Sequence, residues 1–574
     1  MSPKLRRREV PASGAWADDV HPVLQRVYAA RGVINSEQAG LRLQGLCSPA
    51  GMAGIDAGVD LLLHALRADW RILIVGDFDC DGATASAVAV RGLRMLGAKQ
   101  VNFRVPHRLR HGYGLSPTLV ADLEHPLPQL IVTVDNGIAS HAGVLAARAL
   151  GIRVLITDHH LPGPSLPEAD AIVDPHLPED QFQSRHLAGV GVMFYLLLAL
   201  RARMRGEGVF GTDTGPDLAE LLDLVALGTV ADLVPLDRNN RILVDAGLRR
   251  LRSGRGNPGL CALAEIAGRP LATVLAQDFG FALGPRLNAA GRLEDMRLGI
   301  ECLLTDDPAT ARRIARELDG INRERRSLQT QMVDEAEILL AEAAEDPATM
   351  SVAGIVVFDP GWHAGVVGLV ASRLKDAMHR PVIALAPAGE GEGGAAELRG
   401  SARSIAGFHV RDALAAIDAA QPGLITRFGG HAMAAGLSLP TAHLDAFRSA
   451  FEAYAIRTIE PAMLQAEIWS DGEIGDQERS RVLAQALRDG GPWGQGFPEP
   501  SFDGEFRVNS WRVVGERHLK LRLLSATGAE VEAIHFGGYN GVAPAQHVHA
   551  VYHLELDDFR DRHGVQLRVT HILS

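Results

Sequence analysis

The chain has 574 residues, too many for one hydrophobic core, so several domains are expected. It is 47% hydrophobic and 22% charged, a globular composition, and its four cysteines (Cys47, Cys80, Cys261, Cys302) lack the spacing of a disulfide framework or a zinc ribbon. A net charge of -12 does not by itself suggest a nucleic-acid binder, although a groove can be basic while outer surfaces are acidic, and carboxylates that hold metal ions also count in that sum.

The N-terminus, Met1 to Glu9, is basic but has no apolar core behind it, so it does not read as a signal peptide. No segment has the length and apolarity of a membrane span, and a cytoplasmic location is expected. Residues 1–70 read as helical, with amphipathic pieces at Val20–Tyr28 and Gly58–Leu66. From 71 to about 175, apolar runs at 72–76, 101–105, 130–134, 153–157 and 171–173 alternate with helices such as 83–96 and 140–150. That is the pattern of a doubly wound parallel sheet. Residues 188–204 and 217–231 read as helices, and 306–346 as one long charged helix. Its Arg312, Arg313, Arg316, Arg323, Arg325 and Arg326 line either a groove or a salt-bridged, solvated connector. A second α/β unit starts at Gly354 and runs to about 455, interrupted by the acidic Gly389–Gly394, which reads as a surface loop. From about 465 apolar and polar residues alternate, as expected of a small antiparallel barrel. A barrel face carrying Trp511, Arg512, Arg517, Lys520 and Arg522 suits single-stranded nucleic acid; the alternative is a packing domain.

The chemistry is concentrated where strands end. Ile72-Leu73-Ile74-Val75 leads into Gly76-Asp77-Phe78-Asp79-Cys80-Asp81-Gly82. Residues two apart in extended chain point the same way, so three carboxylates would share one side of a strand end, a repulsion that a cation relieves. The same Asp-x-Asp-x-Asp-Gly opens an EF-hand loop, but its twelfth position here is Val88 and a strand, not a helix, precedes it. A solvated acidic turn is the other alternative. Repetition argues against it: Leu130–Val134 ends in Asp135, Val154–Thr157 ends in Asp158-His159-His160, and one further apolar segment, Leu224–Ala231, ends in Asp232. Carboxylate with imidazole suits Mn²⁺ best, Mg²⁺ next and zinc less well. Seven side chains (Asp77, Asp79, Asp81, Asp135, His159, His160, Asp232) suffice for two ions with a bridging carboxylate, an arrangement that serves in-line displacement at phosphorus. Cys80, between two of them, reads as filler, with oxidation sensitivity as the alternative. Two segments look phosphate-directed: His107–Ser116, with Arg108 and Tyr113, and the small-residue run Phe428–Gly436 around His431.

These motifs together resemble the DHH phosphoesterase superfamily, and Gly429-Gly430-His431 with Ala434-Ala435-Gly436 is similar to its DHHA1 domain. Gly112–Ser116, Gly284-Pro285-Arg286-Leu287-Asn288-Ala289-Ala290-Gly291-Arg292, Trp362–Gly368 and Ser401–Ser404 narrow the resemblance to the RecJ family of bacterial exonucleases. The resemblance implies an α/β architecture: a parallel-sheet DHH catalytic domain (71–305) after an N-terminal segment (1–70), a connecting helix (306–350), a smaller α/β DHHA1 domain (351–460) and an OB-like antiparallel barrel (461–574). It implies metal ligation by Asp79, Asp81, Asp135, His159 and Asp232, with Asp77 and His160 close by or ligating and Asp158 orienting the histidines; Asp79, Asp81, Asp135, His159 and His160 are the expected catalytic set. Arg108, Arg286, Arg373, Ser401 and Arg403 are implied contacts for DNA, including a 5′-phosphate, with Tyr113, Asn288, His363 and His431 beside them. The activity implied is 5′→3′ hydrolysis of single-stranded DNA to mononucleotides in recombination and repair. The implied partners are a single-stranded-DNA-binding protein and a RecQ-type helicase. Two rivals remain: another DHH enzyme, cleaving oligoribonucleotides or cyclic dinucleotides, and an inactive replication scaffold. The extra barrel opposes the first, and the complete ligand set opposes the second.

Overall fold

The computed structural model describes residues 3–107, 110–344, 353–390, 396–557 and 564–573. The chain divides into two compact units: residues 7–322 with 470–572, and residues 323–469 with both chain ends. Among the described residues no single helix is long and apolar enough to cross a membrane. Strand β1 (Lys4–Arg7) lies in the stretch read as helical and forms a two-stranded sheet with Glu467–Ser470; four residues carry too little pattern to announce a strand.

In the first unit, β2 (Ile72–Val75), β3 (Val101–Arg104), β4 (Leu130–Val134), β5 (Arg153–Thr157) and β6 (Ala171–Val173) form one parallel sheet in the order β3-β2-β4-β5-β6. Alternate residues feed two cores, as a period of two requires. Ile72, Ile74, Leu130, Val132 and Leu155 pack with the helices Cys80–Met95 and Gly189–Gly206. Leu73, Val75, Ile131, Val154 and Ile156 pack with Pro117–Ala121 and His141–Ala149. With both faces covered, β4 is buried along its whole length, which is why these strands read as unbroken apolar runs. From β2 the chain moves one way to β3, then back past β2 to β4. The order therefore reverses between β2 and β4, and a crevice opens there beyond the strand ends.

The second unit holds β7 (Ile355–Phe358), β8 (Val382–Glu390), β9 (Ala396–Arg403), β10 (Arg427–Gly430) and β11 (Ala434–Pro440), in the order β10-β11-β9-β8-β7. Only β7 and β8 are parallel; the other pairs are antiparallel. Of the expected acidic loop, residues 389 and 390 end β8, and 391–394 lie outside the described residues. The helix Pro308–Ala344 is continuous. Its Arg312 pairs with Glu265 at 3.2 Å and Arg313 with Glu317 at 3.7 Å, which supports the connector reading for those two.

After β12 (Glu467–Ser470), strands β13 (Phe502–Val514), β14 (His518–Leu524), β15 (Glu530–His535), β16 (His547–Asp557) and β17 (Gly564–Leu573) close a barrel in the order β13-β14-β15-β17-β16. One pair, β15 with β17, is parallel. The barrel is no appendage: Trp493, Phe497 and Phe502 share one apolar core with Tyr28 and Leu248. At that junction the guanidinium of Arg241, a fully buried side chain, lies 3.8 Å from the ring centre of Phe497, and burial pushes its pKa down to about 10.

Candidate metal centre

The crevice between the ends of β2 and β4 is filled by acid. Asp77 follows β2 and is buried. Asp79 caps the helix Cys80–Met95, its carboxylate accepting from Gly82 N–H at 3.0 Å. Asp81 lies in the first turn of that helix and is 1% exposed. Both its oxygens are held by the start of another helix: Oδ2 accepts from Gly189 N–H at 2.6 Å and Oδ1 from Val190 N–H at 3.1 Å. Asp135 ends β4 with φ 61°, a left-handed conformation that costs an aspartate about 1–3 kcal/mol. Two glycines permit this crowding. A Cβ on Gly189 would lie 2.5 Å from Asp135 Cβ, and one on Gly228 would lie 2.7 Å from Asp81 Oδ1. Gly228 belongs to the buried helix Leu222–Ala231, which Asp232 caps at its C-terminus.

His159 faces three of these carboxylates. Its Nε2 is 3.1 Å from Asp135 Oδ1, 3.6 Å from Asp232 Oδ2 and 4.0 Å from Asp81 Oδ2. Asp158 accepts from the backbone N–H of His159 (2.8 Å), His160 (3.2 Å) and Ile138 (2.9 Å), and from His160 Nδ1 at 2.7 Å. Burial opposes its charge, but these donors, His160 first, outweigh burial and hold the carboxyl below its usual range. An ionised Asp158 can only accept, so His160 donates through Nδ1 and keeps Nε2 for the crevice.

Without a cation the crevice is electrostatically costly. Burial, then Asp79, pushes Asp81 up to about 7. Burial, then Asp81 and Asp79, pushes Asp135 and Asp232 well above the usual carboxylate range. Burial, then His160, pushes His159 down to about 3, which keeps it neutral. Asp135 Oδ1 and His159 Nε2 are buried and make no hydrogen bond. Ligand atoms of Asp77, Asp79 and Asp135 lie within 4.8 Å of one another, as do those of Asp81, His159 and Asp232, and those of Asp135, His159 and His160. Buried carboxylate and neutral imidazole, in overlapping triads linked by Asp135 and His159, form a donor set that fits two hard divalent cations.

The chain matches three family models: the N-terminal domain of the DHH family over residues 71–229, the DHHA1 domain over 350–457 and the RecJ OB domain over 470–571. Over 578 aligned residues it is 48% identical to the single-stranded-DNA-specific exonuclease RecJ of Salmonella typhimurium, covering 99% of each chain. The chain belongs to the RecJ family. RecJ of Thermus thermophilus, solved in complex with Mn²⁺, superposes with a TM-score of 0.79 at 31% identity, covering 97% of this chain and 76% of that one. The same protein in complex with Mg²⁺ gives 0.74 at 30% identity, covering 97% and 75%.

Seven expected metal-site residues of this RecJ-family chain thus converge on one crevice. The expected DNA contacts scatter. Arg108 lies outside the described residues. Tyr113 donates to Asp135 C=O at 3.2 Å and sets its ring edge-on to His160. Asn288 accepts from Cys80 N–H at 2.7 Å, so it braces the acidic loop. Arg286 is buried, donating to Asp319 at 3.0 and 2.9 Å and to Ala282 C=O at 2.6 Å, so its guanidinium is already engaged inside the fold. In the second unit, Arg403 donates to Ser401 Oγ at 2.9 Å, both project from the same face of β9, and Gly368 lies against them. Among the described residues no carboxylate pairs with Arg403, and burial pushes its pKa down. His363, Arg373 and His431 are exposed.

Sequence reading missed Asn136, whose amide donates to Val75 C=O at 3.0 Å and Val134 C=O at 2.9 Å and so ties the ends of β2 and β4 at the reversal point. It also missed Gly189, for which the run Gly189-Val190-Gly191 was the available signal. On the barrel, Trp511 stacks on Tyr539 and is exposed, with Phe536 exposed as well. Lys520 and Arg522 are each paired with Glu532. Arg512 registers opposite Lys520 and Trp511 opposite Leu521, so the two lie on opposite faces of β13 and not on the one face expected; Arg512 and Arg517 pair with no carboxylate among the described residues.

Proposed function

We propose that this chain is a metal-dependent exonuclease specific for single-stranded DNA, cutting from the 5′ end and releasing mononucleotides. One observation carries the reading: a buried carboxylate–imidazole crevice at the reversal point of a parallel sheet, in a chain whose relatives are named single-stranded-DNA-specific exonucleases. Asp77, Asp79 and Asp135 would hold one Mn²⁺ or Mg²⁺, and Asp81, His159 and Asp232 the other, with His160 at the edge. A bound pair supplies charge neutralisation at a phosphodiester and activates water for in-line displacement.

The chain's own residues do the positioning. Asp158 fixes His160, Tyr113 packs against it, and Asn288 holds the acidic loop. Arg403 and Ser401 form a compact anion-facing pair suited to a terminal 5′-phosphate, with Arg373 and His363 on nearby elements. Trp511, Phe536 and Arg512 suit sequence-neutral stacking and phosphate contacts. The cellular reading is DNA repair and recombination in the cytoplasm, alongside a single-stranded-DNA-binding protein and a RecQ-type helicase.

The test is single-stranded DNA labelled separately at each end, with Mn²⁺ and a chelator control. The 5′ label should leave at once as mononucleotide while 3′-labelled strands shorten stepwise. Turnover of dinucleotides with intact long strands would move the assignment to the small-substrate DHH enzymes. No metal-dependent turnover of either would leave the scaffold.

A further inference from the structure

An open groove of about 440 Å³ in the first unit is lined by Arg42, Arg249, Arg250 and Arg255, with one carboxylate, the exposed Asp217, and with Leu43 and Leu222 on its floor. In a chain of net charge -12, four arginines on one groove stand out. Arg249 is paired with Asp245 at 2.9 Å. Arg250 comes no nearer than 4.0 Å to Asp223, whose oxygens already accept from Asn257 N–H and Leu224 N–H, and its Nε is buried without a hydrogen bond. Arg42 and Arg255 pair with no carboxylate among the described residues, and both are exposed. The C-terminal end of the helix Arg238–Arg252 favours this positive charge where Arg249 and Arg250 sit.

We propose that this groove is a second binding site for the phosphate backbone of single-stranded DNA, separate from the metal centre. The helix Leu222–Ala231 relates the two: Leu222 floors the groove and Asp232 caps the far end, so about 15 Å of helix separates them. The lining decides the ligand. It contains no aromatic ring to stack a base and no closed pocket to enclose a nucleotide, so it reads backbone rather than sequence. Guanidinium forks match phosphate oxygens in pairs. An acidic peptide would want apolar anchoring, and Leu222 is buried, which leaves Leu43 as the exposed apolar side chain of the floor. The inference rests on the exonuclease reading.

The test uses the full chain, with metal chelated for binding and Mn²⁺ restored for cleavage. The triple variant R42Q/R250Q/R255Q should bind a strand of about 40 nucleotides roughly tenfold more weakly, with a salt dependence shallower by about 2 in log–log slope. Binding and cleavage of a strand of about six nucleotides, long enough for the centre alone, should stay at the parent level. The double variant R42E/R255E changes only exposed arginines and should show the same length-selective loss. An unchanged slope on the long strand overturns the proposal, as does equal loss on both lengths. A parent protein that neither binds nor cuts DNA would instead overturn the exonuclease reading.

Discussion

The two sheets reach an anionic ligand by opposite routes. In the β2–β6 sheet every strand runs the same way, so carboxyl ends gather along one edge, and β2, β4 and β5 each place acid or imidazole there. In the β7–β11 sheet the strands beyond β7 and β8 alternate, and no edge collects strand ends. Its polar pair, Ser401 and Arg403, instead stands two residues apart on one face of β9, beside Gly368. The first arrangement concentrates negative charge until a cation is required. The second presents a cation that no carboxylate among the described residues pairs with. Strand direction thus sets where the polar groups gather, and their residue types set the sign of each site.

The comparison breaks most sharply at its acidic end. His159→Ala removes the group facing three carboxylates, and turnover should fall about a thousandfold or more, since metal-borne charge stabilisation is worth several kcal/mol. Circular dichroism should show an unchanged fold; parent-level turnover in the folded variant would refute the ligand assignment. Asp135→Asn should abolish activity as well, yet raise the melting temperature of the chelated protein, because it removes a carboxyl whose ionisation burial and the neighbouring carboxylates oppose. A lowered melting temperature would show that repulsion there is already relieved.

The supporting residues come next. Asp158→Asn should lower metal affinity by about 10–100-fold, the usual loss when a ligand-orienting partner is removed, measured by Mn²⁺ titration of activity. In the other sheet, Arg403→Gln should cut the preference for 5′-phosphorylated over 5′-hydroxyl strands by about tenfold, the worth of a charged hydrogen bond, with cleavage of 5′-hydroxyl strands unchanged. Equal losses on both strands would remove Arg403 from the terminal phosphate.

The smallest effect concerns acid stability of the barrel. Asp503 is buried, and Arg7, then Ser470 and His549, outweigh burial and hold its carboxyl below the usual range. A depressed carboxyl contributes stability fully above its unfolded pKa of about 4 and loses it as pH falls through the lower folded value. Asp503→Asn should therefore flatten the acid limb of stability against pH below about 4, leaving the neutral region with the same pH dependence. An unchanged acid limb would place the sensitivity elsewhere.

The strand ends were legible because each step is local: an apolar run buried on both faces, then a charged residue that cannot join it. Asp77, Asp79 and Asp135 declared themselves that way, His159 as an imidazole after a strand, and Asp232 at the end of an apolar helix. Asp81's helix-terminus donors, Gly189 and Val190, lie 108 and 109 residues further on and carry no charge to mark them. The contacts of Arg286 were hidden for a related reason: a motif announces a residue type, while Asp319 decides which way the guanidinium turns.

The sequence alone determined the strand and helix periods, the metal-ligand types and the family, because backbone geometry and side-chain chemistry act within a few residues. Only the tertiary structure decided that β4 returns beside β2, so that separate strand ends share one crevice tied by Asn136. It also decided that the barrel shares a core with the catalytic unit, and that Arg42 joins the distant Arg249, Arg250 and Arg255 at one groove. Those outcomes depend on which apolar faces cover one another, and burial is a property of the whole fold rather than of any segment.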